Sequence, residues 1–487
     1  MRNDQIFTPP EIVSKMLDMI GYVGDNIRTK TIFEPSFGGG AFLLQIVERI
    51  FEYSDKHHLT SSEIIEILNN VYGVEMDKKW YEKTVDALTK ICEHHGIKYE
   101  WRYNLLCTDT ANIANEIEGK FDLVCGNPPY IKCWDLKPDD RARISSDFKF
   151  CNGNTDLYIV FFELCMNALK HDGKMCFITP NSFLRNSSQK SFRKHLAENE
   201  LVESIIDYGT VPVFGKIATY TAITLLDMSG GIKETKYVMM KSLKEEDWTN
   251  TICLSKFGEK SWTIANSSDE KFLKEISERK TKLSDLCDIQ YGLATNADKV
   301  YLVDKDNVKN FEAYIFRPVI KGSTLASDAF IIFHYNFDDE TQRYELIGEE
   351  ELRGEFPKTY AHLLANREKM EARDLEKDAV WYQYGRSQGI QNSRKCKFVI
   401  KHIVANDDNR CEVVRVDDNT LVYSGMFVTM KDEKDAERVR RALISEEFCR
   451  YVKLIGKNMS GGYKSFNTKV VKDFGIKEER KEEKKWV

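Results

Sequence analysis

Thr31-Ile-Phe-Glu-Pro-Ser-Phe-Gly-Gly-Gly-Ala-Phe42 decides the fold of the amino-terminal half. A short apolar run ends on an acid, three glycines follow, and an apolar-periodic segment continues to about residue 53. The order strand, loop, helix is the βα unit of a nucleotide-type sheet. Glycine there lets the backbone approach a ligand closely, and the helix start offers unpaired N–H groups. The dinucleotide pattern G-x-G-x-x-G fails, because its last position falls on Leu43. The phosphate loop G-x-x-x-x-G-K-[ST] is absent as well. Glu34 at the strand end would repel a pyrophosphate and suits a cationic ligand. An ordinary tight βα turn would also account for three glycines.

Upstream lies Gln5-Ile-Phe-Thr-Pro-Pro10, followed by apolar residues at helical spacing over 11–20. Thr8 as N-cap, proline in the first turn and Glu11 three residues on predict a helix start. Taken alone, these residues ask for a capped helix and nothing more. Downstream, Asn70-Val-Tyr-Gly-Val-Glu-Met-Asp77 reads as a second strand. An acid at that strand end, Glu75, typically binds ribose hydroxyls in a doubly wound sheet. A helix over 78–94 is expected next, then a third strand within 101–106 carrying Asn104 where an adenine edge would sit.

The fourth strand delivers Phe121-Asp-Leu-Val-Cys-Gly-Asn-Pro-Pro-Tyr130. Residues 121–125 are apolar enough for a buried strand that stops at Gly126. Proline fixes its own φ and restricts its predecessor, so Asn127 is held extended. Pro128 and Pro129 lack N–H groups, which leaves carbonyls as acceptors without a local donor. The turn therefore offers an amide oxygen, a backbone carbonyl and the ring of Tyr130 together. Such a set can grip a planar –NH2 group on a stackable ring.

Residues 131–154 are polar and predict a long loop without regular structure. A helix over 155–169, a strand over 173–180, a helix over 187–196 and strands over 202–208 and 219–228 follow. This alternation implies a mostly parallel sheet that ends in an antiparallel pair. From about residue 230 short β-like runs alternate with charged loops, as expected of a second, mixed α/β domain. Strands are expected over 289–294, 314–322, 397–401 and 423–430, and helices over 268–280, 360–374 and 433–445. The end, Lys477-Glu-Glu-Arg-Lys-Glu-Glu-Lys-Lys485, reads as a solvated charged tail.

A chain of 487 residues should hold two or three domains, and 42% hydrophobic with 30% charged residues is a globular composition. No apolar run reaches the length of a membrane span, and Met1-Arg-Asn-Asp-Gln lacks a signal-peptide core. The 12 cysteines show neither C-x-x-C pairs nor zinc spacing, so they read as buried apolar residues in a reducing cytoplasm. A net charge of -6 argues against a protein that coats nucleic acid but leaves room for a local basic cleft.

In this order the motifs Phe7-Thr-Pro-Pro10, Glu34-Pro-Ser-Phe-Gly-Gly-Gly-Ala-Phe42, Gly73-Val-Glu75 and Asn127-Pro-Pro-Tyr130 carry a family resemblance. The chain resembles the gamma class of S-adenosylmethionine-dependent adenine-N6 DNA methyltransferases of type II restriction–modification systems. The resemblance implies a class I Rossmann-like α/β methyltransferase domain over 1–235, with helices on both faces of the sheet. It further implies a mixed α/β target-recognition domain over 236–475 and a charged tail over 476–487. By the same resemblance Thr8, Glu34, Pro35, Ser36, Gly38 and Gly40 would hold the methionine part of S-adenosylmethionine. Glu75, with Met76 beside it, would take the ribose, and Asn104 and Leu105 the adenine ring. Where this chain has Asn104 the family more often has Asp.

Asn127 and the Pro128 carbonyl, in the turn closed by Pro129, would accept the two N–H bonds of a flipped adenine. Tyr130 would stack on one face of that base and Phe214 on the other; as a core residue of a hairpin, Phe214 would have no such part. Sequence readout requires basic and amide side chains at base edges. Arg317, Lys321, Arg386, Arg394 and Lys464 are the candidates for DNA contact, with Gln388, Lys395 and the loop Ser460-Gly-Gly-Tyr463 beside them. Double-stranded DNA is the expected partner, the protein a monomer paired functionally with a separate restriction endonuclease. No metal is required. Two other readings stand beside this one. A methyltransferase acting on another planar amino group (a protein glutamine amide or a ribosomal RNA base) uses the same turn, and a catalytically silent nucleic-acid-binding module would not need it.

Overall fold

The structure, a computed structural model, describes residues 7–151, 155–215, 220–373, 375, 379–387, 389–392, 394–459 and 462–478. Gln5, Ile6, Gln388, Ser460, Gly461 and the tail from residue 479 onward lie outside the described residues.

The chain forms two compact units, 1–267 and 268–487. The first is built on a nine-stranded sheet of order β3-β2-β1-β4-β5-β7-β6-β8-β9. Its strands are β1 Ile32–Glu34, β2 Val71–Val74, β3 Leu105–Leu106, β4 Phe121–Gly126, β5 Leu169–Pro180, β6 Val202–Asp207, β7 Thr221–Asp227, β8 Thr235–Met240 and β9 Glu246–Ile252. β1 runs parallel to β2 and to β4, and β4 parallel to β5. β7 inserts antiparallel between β5 and β6, as expected of that pair, but the sheet does not end there and continues through β8 and β9.

Every residue of β1 and of β4 is buried, the signature of strands covered on both faces. Alternation then sorts the side chains. Ile32, Leu123 and Cys125 join the core under helices Pro10–Met19, Ala41–His57 and Lys78–His94. Phe33 and Val124 join the opposite core under helices Leu157–Ala168 and Lys190–Glu198, and Phe121 reaches it too because the β4 register shifts between Phe121 and Leu123. This is a Rossmann-like α/β architecture, and its register matters for function. Ile32 pairs with Val71 on one side and Leu123 on the other, so Glu34, Glu75 and Asn127 all leave the same carboxyl edge of the sheet.

Four expectations are corrected. The first unit does not stop at residue 235: β8 pairs parallel with β6, and Trp262 and Ile264 still belong to its core. Thr8 is not the helix cap, because Pro9 takes that place and makes no side-chain cap bond. Segment 131–154 is not structureless; it holds the helix Pro138–Asp147 and a helical turn at Cys133–Asp135. Ile476, counted as tail, pairs with Thr281 in a short antiparallel bridge.

Among its described residues the second unit has a small core around Ile320, Val399, Val422 and Phe427 and two large ones. One gathers the sheet of Cys287–Tyr291, Met426–Met430, Lys397–Ile400 and Val413–Val416 under helices Ala436–Leu443 and Glu446–Ile455. The other surrounds the sheet of Leu302–Asp304, Ala326–Ile332, Phe316–Lys321 and Leu421–Tyr423. Helix Glu446–Ile455 was not anticipated from sequence, although Ser445 caps it by accepting from the Phe448 N–H. Among the described residues no helix is long and apolar enough to cross a membrane.

Candidate active site

At the end of β1 the chain turns through Pro35, Ser36 and Phe37, and Gly40, at φ +78°, occupies the left-handed region before helix Ala41–His57. The loop is tied down on several sides. The Gly38 N–H donates to Glu75 Oε2 at 2.7 Å, and Thr84 Oγ1 donates to the Gly38 carbonyl at 2.8 Å. Thr110 Oγ1 donates to the Pro35 carbonyl. At two of the glycines a side chain would collide with protein. A Cβ on Gly39 would stand 2.2 Å from the Phe7 ring, and one on Gly40 would stand 2.5 Å from Thr84. Thr84 and Thr110 carry no sequence signal, because only the fold brings them to the loop.

Glu34 and Glu75 are 2% and 5% exposed, and among the described residues neither forms an ion pair. Burial is the main cause that pushes the Glu34 carboxyl well above the usual range, opposed by the Leu43 N–H and reinforced by Glu75. Burial likewise raises Glu75, against the N–H groups of Asp77 and Gly38. Two buried acids without a cation form a site that a positively charged ligand would relieve. Oxygens of Glu75 that already accept from Gly38 and Asp77 retain lone pairs for hydroxyl donors. Met76 is exposed beside it.

Asn104 and Leu105 do not lie where an adenine ring could reach them. Asn104 Nδ2 donates to the carbonyls of Asn69 and Val71, each at 3.0 Å, at the amino end of β2. Leu105 is buried in the core. The strand-end residues that do reach the surface are Leu106 and Cys107. The pattern of the third strand misleads here because that strand is only two residues long.

At the end of β4 the Asn127-Pro-Pro-Tyr130 turn leaves the sheet without further pairing. Asn127 Nδ2 lies 3.2 Å from Thr8 Oγ1, while Asn127 Oδ1 is buried with no hydrogen-bond partner among the described residues. A buried, unsatisfied acceptor costs about 1–3 kcal/mol unless a ligand completes it. Pro128 is buried, and the Tyr130 hydroxyl donates to the Ile178 carbonyl at 3.2 Å, which pins the ring against β5. Phe214 does approach Tyr130, with ring centroids 6.2 Å apart, but their planes stand at 62°. The two rings therefore meet edge to face, and Phe214 also belongs to the core.

Behind these rings Asp207 accepts from Asn181 Nδ2 at 2.8 Å, the Gly209 N–H at 2.8 Å and the Tyr237 hydroxyl at 2.6 Å. This network braces the carboxyl ends of β5 and β6, and the sequence gives no hint of it.

In the second unit the basic candidates separate. Arg317 packs 4.4 Å over Phe333 and 5.1 Å over Tyr344, Tyr344 meets Phe337 at 5.1 Å, and Arg394 stands 3.9 Å over Phe337. Arg317 and Arg394 thus share one aromatic ladder. Lys321 sits at the end of the Arg317 strand, and exposed Arg386 is bridged through its backbone to Ala294. Lys464 lies in a different small sheet and bonds Asn458.

Residues 67–214 match the family model described as Eco57I restriction-modification methylase. The chain is 25% identical to the Type II methyltransferase M.BstVI of Geobacillus stearothermophilus, over 67% of this chain and 64% of that protein. It is 22% identical to the Type II methyltransferase M.PaeR7I of Pseudomonas aeruginosa, over 97% of this chain and 85% of that one. Among solved structures, the Type IIL restriction-modification enzyme MmeI in complex with DNA shares the fold. There the TM-score is 0.64 at 14% identity, over 95% of this chain and 64% of that one. Several relatives are thus longer than the region matched. The methylase segment runs through the Asn127 turn, and the chain is similar to Type II methyltransferases of restriction–modification systems.

Proposed function

We propose that the protein transfers a methyl group from S-adenosylmethionine to the N6 amino group of an adenine flipped out of duplex DNA. The observation that carries this reading is the buried Oδ1 of Asn127, without a partner among the described residues, beside a proline-locked carbonyl. An exocyclic amino group has two N–H bonds, and two fixed acceptors would take both. Drawing on both hydrogens pushes the nitrogen toward tetrahedral geometry and raises its electron density. The step then needs alignment more than a strong base. Tyr130, braced by its hydroxyl, would stack on the extruded base and offset part of the few kcal/mol of unstacking.

The cofactor fits the residues present: Glu34 and Glu75 are uncompensated buried acids, and a sulfonium ligand bearing ribose hydroxyls suits both. When bound, that cofactor supplies an electrophilic methyl group. Thus Glu34 and the loop of Pro35, Ser36, Gly38 and Gly40 hold its charged part, and Glu75 with Met76 its ribose. The second unit reads the DNA sequence, with Arg317 and Arg394 as its leading contacts. A pairing with a separate endonuclease, and action as a monomer in the cytoplasm, complete the proposal.

The test is incubation of the purified chain with methyl-labelled cofactor and duplex DNA, followed by long-read sequencing of DNA from an expressing host. Label in N6-methyladenine at one short motif is the expected result. Label in protein or RNA with blank duplex DNA would refute the reading and favour another planar amino group.

A further inference from the structure

We infer that Thr8 is a positioning residue, whose hydroxyl fixes the amide of Asn127 with Oδ1 turned to the substrate. This role replaces cofactor binding for Thr8, and it rests on the reading of Asn127 given above.

The two ends of an asparagine amide are nearly isosteric and differ in which one donates. If the group turned over, Asn127 would aim N–H donors at a substrate that also presents N–H donors. The contact with Thr8 Oγ1, 3.2 Å away and 119 residues distant in sequence, anchors the amide at its Nδ2 end, where the hydroxyl accepts. The opposite orientation would place a buried NH2, with two protons to satisfy, where Oδ1 now stands without a partner. Two stranded donors are worse than one stranded acceptor. The Thr8 anchor at Nδ2, with surroundings at Oδ1 that would strand an NH2 group, thus holds the amide with its oxygen free.

Thr8 is itself well held. It is 5% exposed and follows Phe7, whose ring lies against Gly39 and meets Trp80 edge-on at 5.6 Å. Pro9 follows at φ -57° and starts helix Pro10–Met19. A β-branched side chain between two such anchors has little rotamer freedom. The arrangement explains why the segment before the glycine loop is built against the catalytic turn rather than spent on capping its own helix.

The experiment uses the full chain and three variants, Thr8→Val, Thr8→Ser and Thr8→Ala. Single-turnover methylation of duplex DNA gives the rate, and calorimetry gives the Kd for S-adenosylmethionine. Thr8→Val, which keeps the shape and deletes the hydroxyl, should slow methylation about tenfold while the cofactor Kd stays within about twofold. Thr8→Ser should recover most of the rate. Should Thr8→Val fail to fold, Thr8→Ala is judged by the same split. The inference is overturned by a Thr8→Val rate within about twofold of wild type, by a loss carried in the cofactor Kd, or by equal losses in the Val and Ser variants. A wild-type chain that leaves duplex DNA unmethylated would instead sink the reading of Asn127, and this inference with it.

Discussion

The two units of the chain place their polar residues by opposite rules. In 1–267 the chemistry sits where parallel strands end, and strand order converts sequence order into spatial order. Glu34, Glu75 and Asn127 come from three different strands and still leave one edge. In 268–487 the strands are short and mostly antiparallel, and cations lie along aromatic faces instead of converging. Convergence suits bond making, whereas dispersal suits contact with a long partner.

Changes in the first unit should therefore stop chemistry without releasing DNA, and changes in the second should do the reverse. Asn127→Ala should lower single-turnover methylation about a thousandfold, since it removes a preorganised acceptor from the reacting centre. Duplex affinity by fluorescence anisotropy should stay within about threefold. A parallel loss of binding would break the division between the units.

The second unit also holds a buried histidine whose titration couples to folding. His334 is fully buried among Tyr301, Tyr335, Tyr382 and Tyr384, and that burial holds its imidazole down at about 4. The unfolded chain takes up this proton near pH 6.5, whereas the folded chain resists until about 4. Stability is thus full above pH 6.5 and falls between there and 4, by roughly 3 kcal/mol. Thermal melts across that window should show the loss, and a His334→Phe chain should lack it. An unchanged acid profile in the variant would remove His334 from the account.

The smallest effect is expected at the aromatic ladder. Arg317→Ala should weaken duplex binding about tenfold and flatten the salt dependence by about one ion, while the rate at saturating DNA holds. A fall in that rate with unchanged affinity would place Arg317 among the catalytic parts.

The same contrast explains what could be read from the residues alone. The Gly38–Gly40 loop and the Asn127 turn announce themselves because glycine and proline dictate backbone geometry locally. Phe33 and Val124 follow from the alternation of buried strands. Asn104 misleads because its amide serves carbonyls at the amino end of β2, a tertiary fact invisible in a two-residue strand. Thr8 misleads in another way: a good capping residue was available, and the fold used its hydroxyl elsewhere. The Asp207 network and the domain boundary lay beyond reach for a similar reason. Both depend on pairings between strands far apart in the chain, such as β6 with β8.

The tethers on the glycine loop have a thermodynamic corollary. Glu75, Thr84 and Thr110 fasten the backbone between Pro35 and Gly38, so the protein itself holds this loop as a finished mould rather than a slack flap. An incoming guest has little chain to organise, and its uptake should register as heat released with scant ordering penalty. Protease digestion around residues 35–40 should look alike before and after saturation, in contrast to proteins that assemble such a cradle only upon contact.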